Sequence, residues 1–162
     1  MEELRGERVV IVPAGPENAE RLRELRADPE VARWWDPPPD EWPLAEEPGL
    51  QVFALLVDGE PAGALQYWEE SDPGSRYADL DILVGADHQG RGLGTEAMRL
   101  IVRHLVEDRG HHRITLSTAV GNARAIHVYE KVGFRPVGVT RKSDLDARTG
   151  KWRDELLMEY VV

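Results

Sequence analysis

The chain has 162 residues, a formal net charge of −10, 41% hydrophobic content and no cysteine, the balance of one globular domain with a sizeable core. Without cysteine there can be no disulfide, thiolate metal site or cysteine-bound acyl intermediate. No apolar run reaches the ~20 residues of a membrane span, no basic stripe with interleaved aromatics points to nucleic acid, and Met1 to Arg5 lacks a signal-peptide core, so a cytoplasmic protein is expected.

Taken in chain order, Arg8 to Val12 reads as a strand ended by Pro13. Gly15-Pro16 opens a helix through Arg26 with Leu22 and Leu25 on one face. Asp28-Pro29 starts a second short helix expected to carry Trp34 and Trp35, and Pro37 to Pro39 stop it. Residues 36–50 form a Pro-rich, acidic loop, long enough to suggest a function. Gln51–Val57 and Pro61–Glu69 read as a hairpin about Asp58-Gly59, and Tyr77–Val84 alternates as a strand. Thr95–Asp108 places Ala97, Leu100, Ile101, His104 and Leu105 at helical spacing. Arg113–Thr118 is a strand, and Ala123–Val132 is a helix closed by Gly133. Phe134–Thr140 and Glu155–Val161 are the last strands, joined through a polar turn at 146–150. The five histidines lack the spacing of a zinc protease, and no metal site is expected; His111-His112 reads as a surface or helix-capping pair.

Charge is unevenly spread. Residues 1–81 carry a net −13 and residues 82–162 a net +3; from Trp34 to Asp81 twelve acids face a single base, Arg76. The first half suits a cationic partner and the second an anionic one, although acidic loops also serve plain solubility.

The run Gln89-Gly90-Arg91-Gly92-Leu93-Gly94-Thr95 stands between an apolar strand and a helix. Alternate glycines remove Cβ atoms that would keep a ligand off the backbone. Free N–H groups at the following helix start favour an anion, and Arg91 adds a positive charge. It lacks the Gly-Lys-Ser/Thr of a P-loop and the setting of a dinucleotide fingerprint. By itself it is either a phosphate cradle or a tight strand-to-helix turn.

Gln89-x-x-Gly92-x-Gly94, followed by Asn122-x-x-Ala125-x-x-x-Tyr129-x-x-x-Gly133-Phe134, resembles the GNAT superfamily of acetyl-CoA-dependent N-acetyltransferases over roughly the whole chain. The resemblance implies a single α/β (α+β) domain over residues 1–162. Its GNAT fold would be a mixed, mostly antiparallel seven-stranded sheet flanked by helices, with two parallel strands, Tyr77–Val84 and Arg113–Thr118, splaying around acetyl-CoA. Backbone groups near Leu83 and Val84 would bind the pantetheine and face the thioester oxygen. Gly90, Arg91, Gly92, Leu93, Gly94 and Thr95 would take the pyrophosphate, and Gln89, Asn122 and Ala125 complete the cofactor set. Asn122 also reads as a helix cap. Tyr129 matches the proton donor to the departing sulfur; its alternative is aromatic packing.

An amine must lose a proton before attack, and a carboxylate near the thioester can accept it. Asp79 and Asp81 alternate on one strand and so share a face. Asp81-Ile82-Leu83-Val84-Gly85 resembles a segment of the aminoglycoside 6′-N-acetyltransferases, which makes Asp81 the candidate base; the alternative is that both carboxylates pair with arginines. Trp34-Trp35 also resembles that subfamily, as part of an acceptor pocket with Glu69 and Asp79. Ser117 stands where the subfamily often has an aspartate, which weakens the case for an aminoglycoside. The expected reaction is acetyl transfer to a primary amine on a cationic small molecule, an aminoglycoside first. A polyamine, a siderophore precursor, a protein N-terminus or a non-catalytic acyl-CoA-binding module are the alternatives. The molecule is expected as a monomer or homodimer, away from membranes and nucleic acid.

Overall fold

Among the described residues, three of the four α-helices start beside a polar side chain that accepts from a backbone N–H, and the third in chain order starts at a glycine without one. In α1 (Pro16–Ala27), Pro16 opens the first turn and Asn18 accepts from the Gly15 N–H (3.0 Å). In α2 (Pro29–Ala32), Asp28 accepts from the Glu30 N–H (3.0 Å). α2 stops at Ala32, so Trp34 and Trp35 sit in the following turn rather than on the helix: both N–H groups return to the Val31 carbonyl. α3 (Leu93–Arg103) begins at Gly92 and α4 (Ala123–Val132) at Asn122, whose side chain accepts from the Ala125 N–H (3.3 Å). The helical stretch expected through Asp108 changes at His104 to a π-helical turn, His104–Asp108.

This computed structural model describes residues 3–162, and there the strands form a single sheet. They are β1 (Leu4–Arg5), β2 (Val9–Pro13), β3 (Leu50–Val57), β4 (Glu60–Glu70), β5 (Tyr77–Val84), β6 (Arg113–Ala119), β7 (Arg135–Asp146) and β8 (Lys151–Val161). Their order is β1-β2-β3-β4-β5-β6-β8-β7. The sheet therefore has eight strands, not seven. The extra one is β1, a two-residue strand paired antiparallel to β2 and too short to show a period in the sequence. The last hairpin is also longer than expected, because β7 and β8 pair as far as Asp146 and Lys151.

Alternation along the strands feeds two cores. On one face, Phe53, Leu65, Leu80, Ile114 and Met158 pack under α3 and α4. On the other, Ala54, Ala64 and Leu83 meet Leu22, Leu25, Val31 and Trp42 from α1, α2 and the 36–50 loop. Arg23 of α1 holds that loop by donating to the carbonyls of Pro39 (2.8 Å) and Trp42 (2.6 Å).

All pairings are antiparallel except β5 with β6, and that pair is brief: Ala78 opposes Ile114, Asp79 opposes Thr115, and no pairing follows. Beyond this point β5 stays on β4 to Val84, while β6 stays on β8 to Ala119. The sheet forks there. On the β4 side the approach is tight, since a Cβ on Gly63 would lie 2.2 Å from the Leu83 carbonyl oxygen.

His111 corrects the surface reading. It is 2% exposed, and its Nε2 lies 2.6 Å from Glu69 Oε2. Its chain neighbours Gly110 and His112 gave no sign of this, because the partner comes from β4.

Gly63→Ala tests the fork's tight side. Overpacking of this kind costs about 1–3 kcal/mol, so the unfolding free energy from urea denaturation should fall by that much and the midpoint with it. An unchanged midpoint would mean β4 and β5 can part without penalty.

Candidate active site

The fork opens a cleft of about 650 Å³ at the C-terminal ends of β5 and β6. Its β5 wall runs from Asp81 to Val84, its β6 wall from Ser117 to Ala119, and the start of α4 closes one side. Trp34 and Trp35, both on the wall, come from the turn after α2.

The register decides which backbone groups face this gap. The Gly85 N–H donates to the Ala62 carbonyl (2.7 Å), and strand alternation commits the Leu83 backbone to Ala64 in the same way. The N–H groups of Ile82 and Val84 point instead toward β6, where no strand pairs with them. Of the two backbone groups expected to meet the pantetheine, Leu83 is therefore spent inside the sheet; its side chain is core. Val84 keeps the expected orientation, and Ile82, which sequence reasoning passed over, joins it.

The glycine run lies at the foot of the cleft. Gly90 and Gly92 have φ of 78° and 76°, conformations that a side chain disfavours. The first N–H of α3 with a backbone partner is that of Glu96, to the Gly92 carbonyl (3.1 Å). Those of Leu93, Gly94 and Thr95 have none within the helix. Leu93 and Thr95 bury their side chains, so only their backbone is on offer. A Cβ on Gly90 would meet nothing within 4 Å, and Gly94 lines the cleft itself. Arg91 is exposed, and its carbonyl accepts from Arg8 (2.6 Å). Arg8, far away in sequence, thus pins the turn. Glu96, whose charge would oppose an anion here, faces away and accepts from the Arg8 and Val9 N–H groups (2.8 Å each).

Gln89 spans the fork. Its amide nitrogen donates to the Val84 carbonyl (2.9 Å), and its oxygen accepts from Arg124 on α4. Both ends of the side chain are used, so Gln89 braces the cleft and brings Arg124 to it. Asn122 caps α4, and its side chain and Ala125 both line the cleft.

Asp81 and Tyr129 reach the gap from opposite faces of the sheet. Tyr129 rises from α4 within the α3–α4 core and is buried. Asp81 lies on the α1 side, open to the cleft and hedged by its walls. Removal from bulk water by those walls and the adjacent Asp79 carboxylate push Asp81 up to about 6; Glu155 adds to the push, while Gln66 and Arg26 oppose it. Burial, helped by the Asp81 charge, holds the Tyr129 phenol well above its ordinary value and therefore protonated.

Two other expected site residues sit elsewhere. Asp79 accepts from the Thr115 hydroxyl (2.5 Å) at the last β5–β6 pair, below the cleft. It clamps the fork and acts on Asp81 by charge. Glu69 is further from the cleft. Burial would raise its carboxyl, but hydrogen bonds from Arg109 (2.8 Å) and His111 hold it below the ordinary range. With both oxygens committed, it has no charge to spare for an acceptor. Ser117 lines the cleft as expected.

The tryptophans already hold cations. Arg26 stacks between Trp35 (4.8 Å) and Trp42 (4.6 Å) and donates to the Asp36 carbonyl (3.0 Å). Trp34 carries Arg33 (5.0 Å) and Arg153 (5.4 Å). Trp34 and Trp35 are therefore walls stiffened by internal cation–π contacts. Arg26, Gln66 and Glu155, all on the wall, were missed in the sequence. Their only signal is register: Gln66 lies directly across from Asp81.

The family model described as the acetyltransferase (GNAT) family matches residues 19–134. The chain belongs to this family of acetyltransferases. The GNAT fold extends past the matched segment. A crystal structure of a probable acetyltransferase superposes with a TM-score of 0.83 at 22% identity, covering 98% of this chain and 96% of that one. The structure of AAC(6′)-Ib in complex with paromomycin and acetyl-CoA gives 0.79 at 23% identity, covering 96% and 94%. Among curated relatives, the L-amino acid N-acetyltransferase AaaT of Escherichia coli (strain K12) is 31% identical over 94% of this chain and 98% of its own length. An aminoglycoside N(6′)-acetyltransferase type 1 of Klebsiella pneumoniae is 37% identical over 62% of this chain, but the match spans only 55% of that enzyme.

As a GNAT acetyltransferase the chain uses acetyl-CoA as acetyl donor, and the site fits that molecule. The left-handed glycines and unpaired helix N–H groups suit a pyrophosphate, and the gap between β5 and β6 has free backbone donors for an extended amide arm.

Gly92→Val tests the cradle. A β-branched residue at φ of 76° should weaken CoA binding by tenfold or more, about 1.4 kcal/mol, in calorimetry. Unchanged affinity would remove the turn from the donor site. A second prediction concerns charge. With a native value near 6 against ~3.9 unfolded, Asp81 binds its proton more tightly in the folded state. Its contribution to stability therefore falls as pH rises through that window. Asp81→Asn should raise the melting temperature at neutral pH and change it much less near pH 4.

Proposed function

We propose that this GNAT acetyltransferase moves an acetyl group directly from acetyl-CoA to a primary amine on a cationic acceptor of aminoglycoside type. Asp81 serves as base and Tyr129 as acid. The observation that carries the reading is the pairing of these two groups across the fork. One is a carboxylate poised near neutrality and the other a phenol kept protonated, and they approach one gap from opposite faces.

Acetyl-CoA supplies the activated acetyl group as a thioester. The remaining work falls to the chain. Ionised Asp81 accepts a proton from the acceptor ammonium, directly or through water, and frees the amine lone pair. The Ile82 and Val84 N–H groups lie where they can stabilise negative charge developing on the carbonyl oxygen. The Tyr129 hydroxyl gives a proton to the departing sulfur as the C–S bond breaks, and the phenolate recovers one, through water, from the nitrogen that has formed the new C–N bond. Asp36 and Glu155, neither of them in an ion pair among the described residues, add negative charge to the wall, which favours a cationic acceptor.

A second reading has its own support. Arg33 on the cleft wall is exposed and has no carboxylate partner among the described residues. A free guanidinium there suits the carboxylate of an amino acid, the acceptor class named for the E. coli relative.

Thiol release from acetyl-CoA should be followed against kanamycin-type aminoglycosides, spermidine and L-amino acids. The leading reading expects fastest turnover with an aminoglycoside and an acid limb in kcat/KM near pH 6. Asp81→Asn and Tyr129→Phe should each lower kcat by about 10²-fold or more. Turnover confined to an amino acid, with KM raised in Arg33→Ala, would replace that acceptor. Full activity in both catalytic variants would end the acid–base scheme.

A further inference from the structure

The long acidic loop buries Trp42, to which the proposed chemistry gives no role. Trp42 is 4% exposed, and its indole Nε1–H donates to Gln66 Oε1 (3.0 Å). An indole N–H can only donate. It therefore fixes which way the Gln66 amide points: oxygen toward Trp42, nitrogen away. The nitrogen then faces Asp81 and donates to its Oδ2 at 3.4 Å. Gln66 sits opposite Asp81 in the β4–β5 register, so the backbone holds the two side chains on the same face.

We propose that Gln66, with its amide orientation locked by Trp42, is the positioning residue that holds the Asp81 carboxylate toward the acceptor. This rests on Asp81 being the base. Several charged groups face Asp81. Arg26 from α1 stabilises its negative charge, and Asp79 on β5 and Glu155 from β8 oppose it. Glu30, Asp36 and Asp144 share the cleft with Arg33 and Arg124, Asp144 is held by Arg153 (2.5 Å), and the Tyr129 hydroxyl looks in from α4. Among these charges Gln66 supplies a neutral donor that favours the ionised carboxylate. A freely turning amide would spend part of its time with its oxygen toward the carboxylate, where it repels the charge. Trp42 removes that alternative. Arg23 secures Trp42 in turn, through the carbonyls of the loop.

The acceptor-dependent pH profile of the intact enzyme tests this, with melting temperatures measured in parallel. Gln66→Leu should move the acid limb of kcat/KM upward by roughly one pH unit and lower kcat more than it changes KM for acetyl-CoA. Trp42→Phe keeps the ring that Arg26 stacks on but loses the N–H. It should move the limb in the same direction by less. The double variant should shift no further than Gln66→Leu alone, because both changes break one chain. An unmoved acid limb in folded Gln66→Leu, or in Trp42→Phe if the first variant does not fold, overturns the proposal. Asp81→Asn keeps the two failures apart. If it is inactive while the Gln66 and Trp42 profiles stay put, only the positioning role falls. If it retains full turnover, the base assignment falls with it.

Discussion

The site depends on the early end of the β5–β6 pairing. A parallel pair normally continues for the length of its strands. Here it stops after Asp79 and Thr115, with each strand still held by its outer neighbour. The unpaired backbone is tolerated because it faces a solvent-filled gap, where water or a ligand satisfies the N–H groups. The hydrogen bond between Asp79 and Thr115 marks the apex. Gly63 allows β4 to press against β5 on one side, and β8 supports β6 on the other. The same break opens the sheet between its two faces, which brings a side chain from the α1 side and one from α4 into a single cavity.

Electrostatics around the gap are built from opposing pairs. Burial and acidic neighbours push Asp81 toward protonation, while Gln66 and Arg26 pull it back. Arg26 is itself lowered to about 10 by burial, against the pull of Asp36 and Asp81, and so stays charged at neutral pH. The two indole rings around it replace part of its lost hydration. At the donor end, Glu96 is turned onto Arg8 and the β2 backbone, which leaves the start of α3 to the helix dipole and to Arg91. The cleft wall near Asp81 mixes both halves of the chain, with Arg26, Arg33 and Asp36 from the acidic half and Asp144 and Glu155 from the basic one.

Local chemistry was readable wherever it is settled within a few residues. Asp58-Gly59 makes its turn with φ of 51° and 79°. Asn122 caps α4, Gly133 closes it, and the glycine run opens α3. Where a contact spans the sheet, the sequence carried no mark of it. Glu69 looked like part of an acidic cleft and is instead paired with Arg109 and hydrogen-bonded to His111. Trp34 and Trp35 line the cleft, and that their rings also hold the protein's own arginines was not legible.

By itself, then, the sequence determined most element types, the Asn122 cap, the Gly133 stop and the glycine turn before α3, and it singled out Asp81 and Tyr129, on which the proposed acid–base chemistry rests. These depend on residue type and short spacing, which a chain displays directly. The tertiary structure alone decided which backbone N–H groups face the gap, which carboxylates stay unpaired, and that Trp42, Gln66 and Asp81 form one line. Those outcomes follow from strand register. A shift of one residue reverses which way every side chain points, and register is set by pairing across the whole sheet rather than by any segment within it.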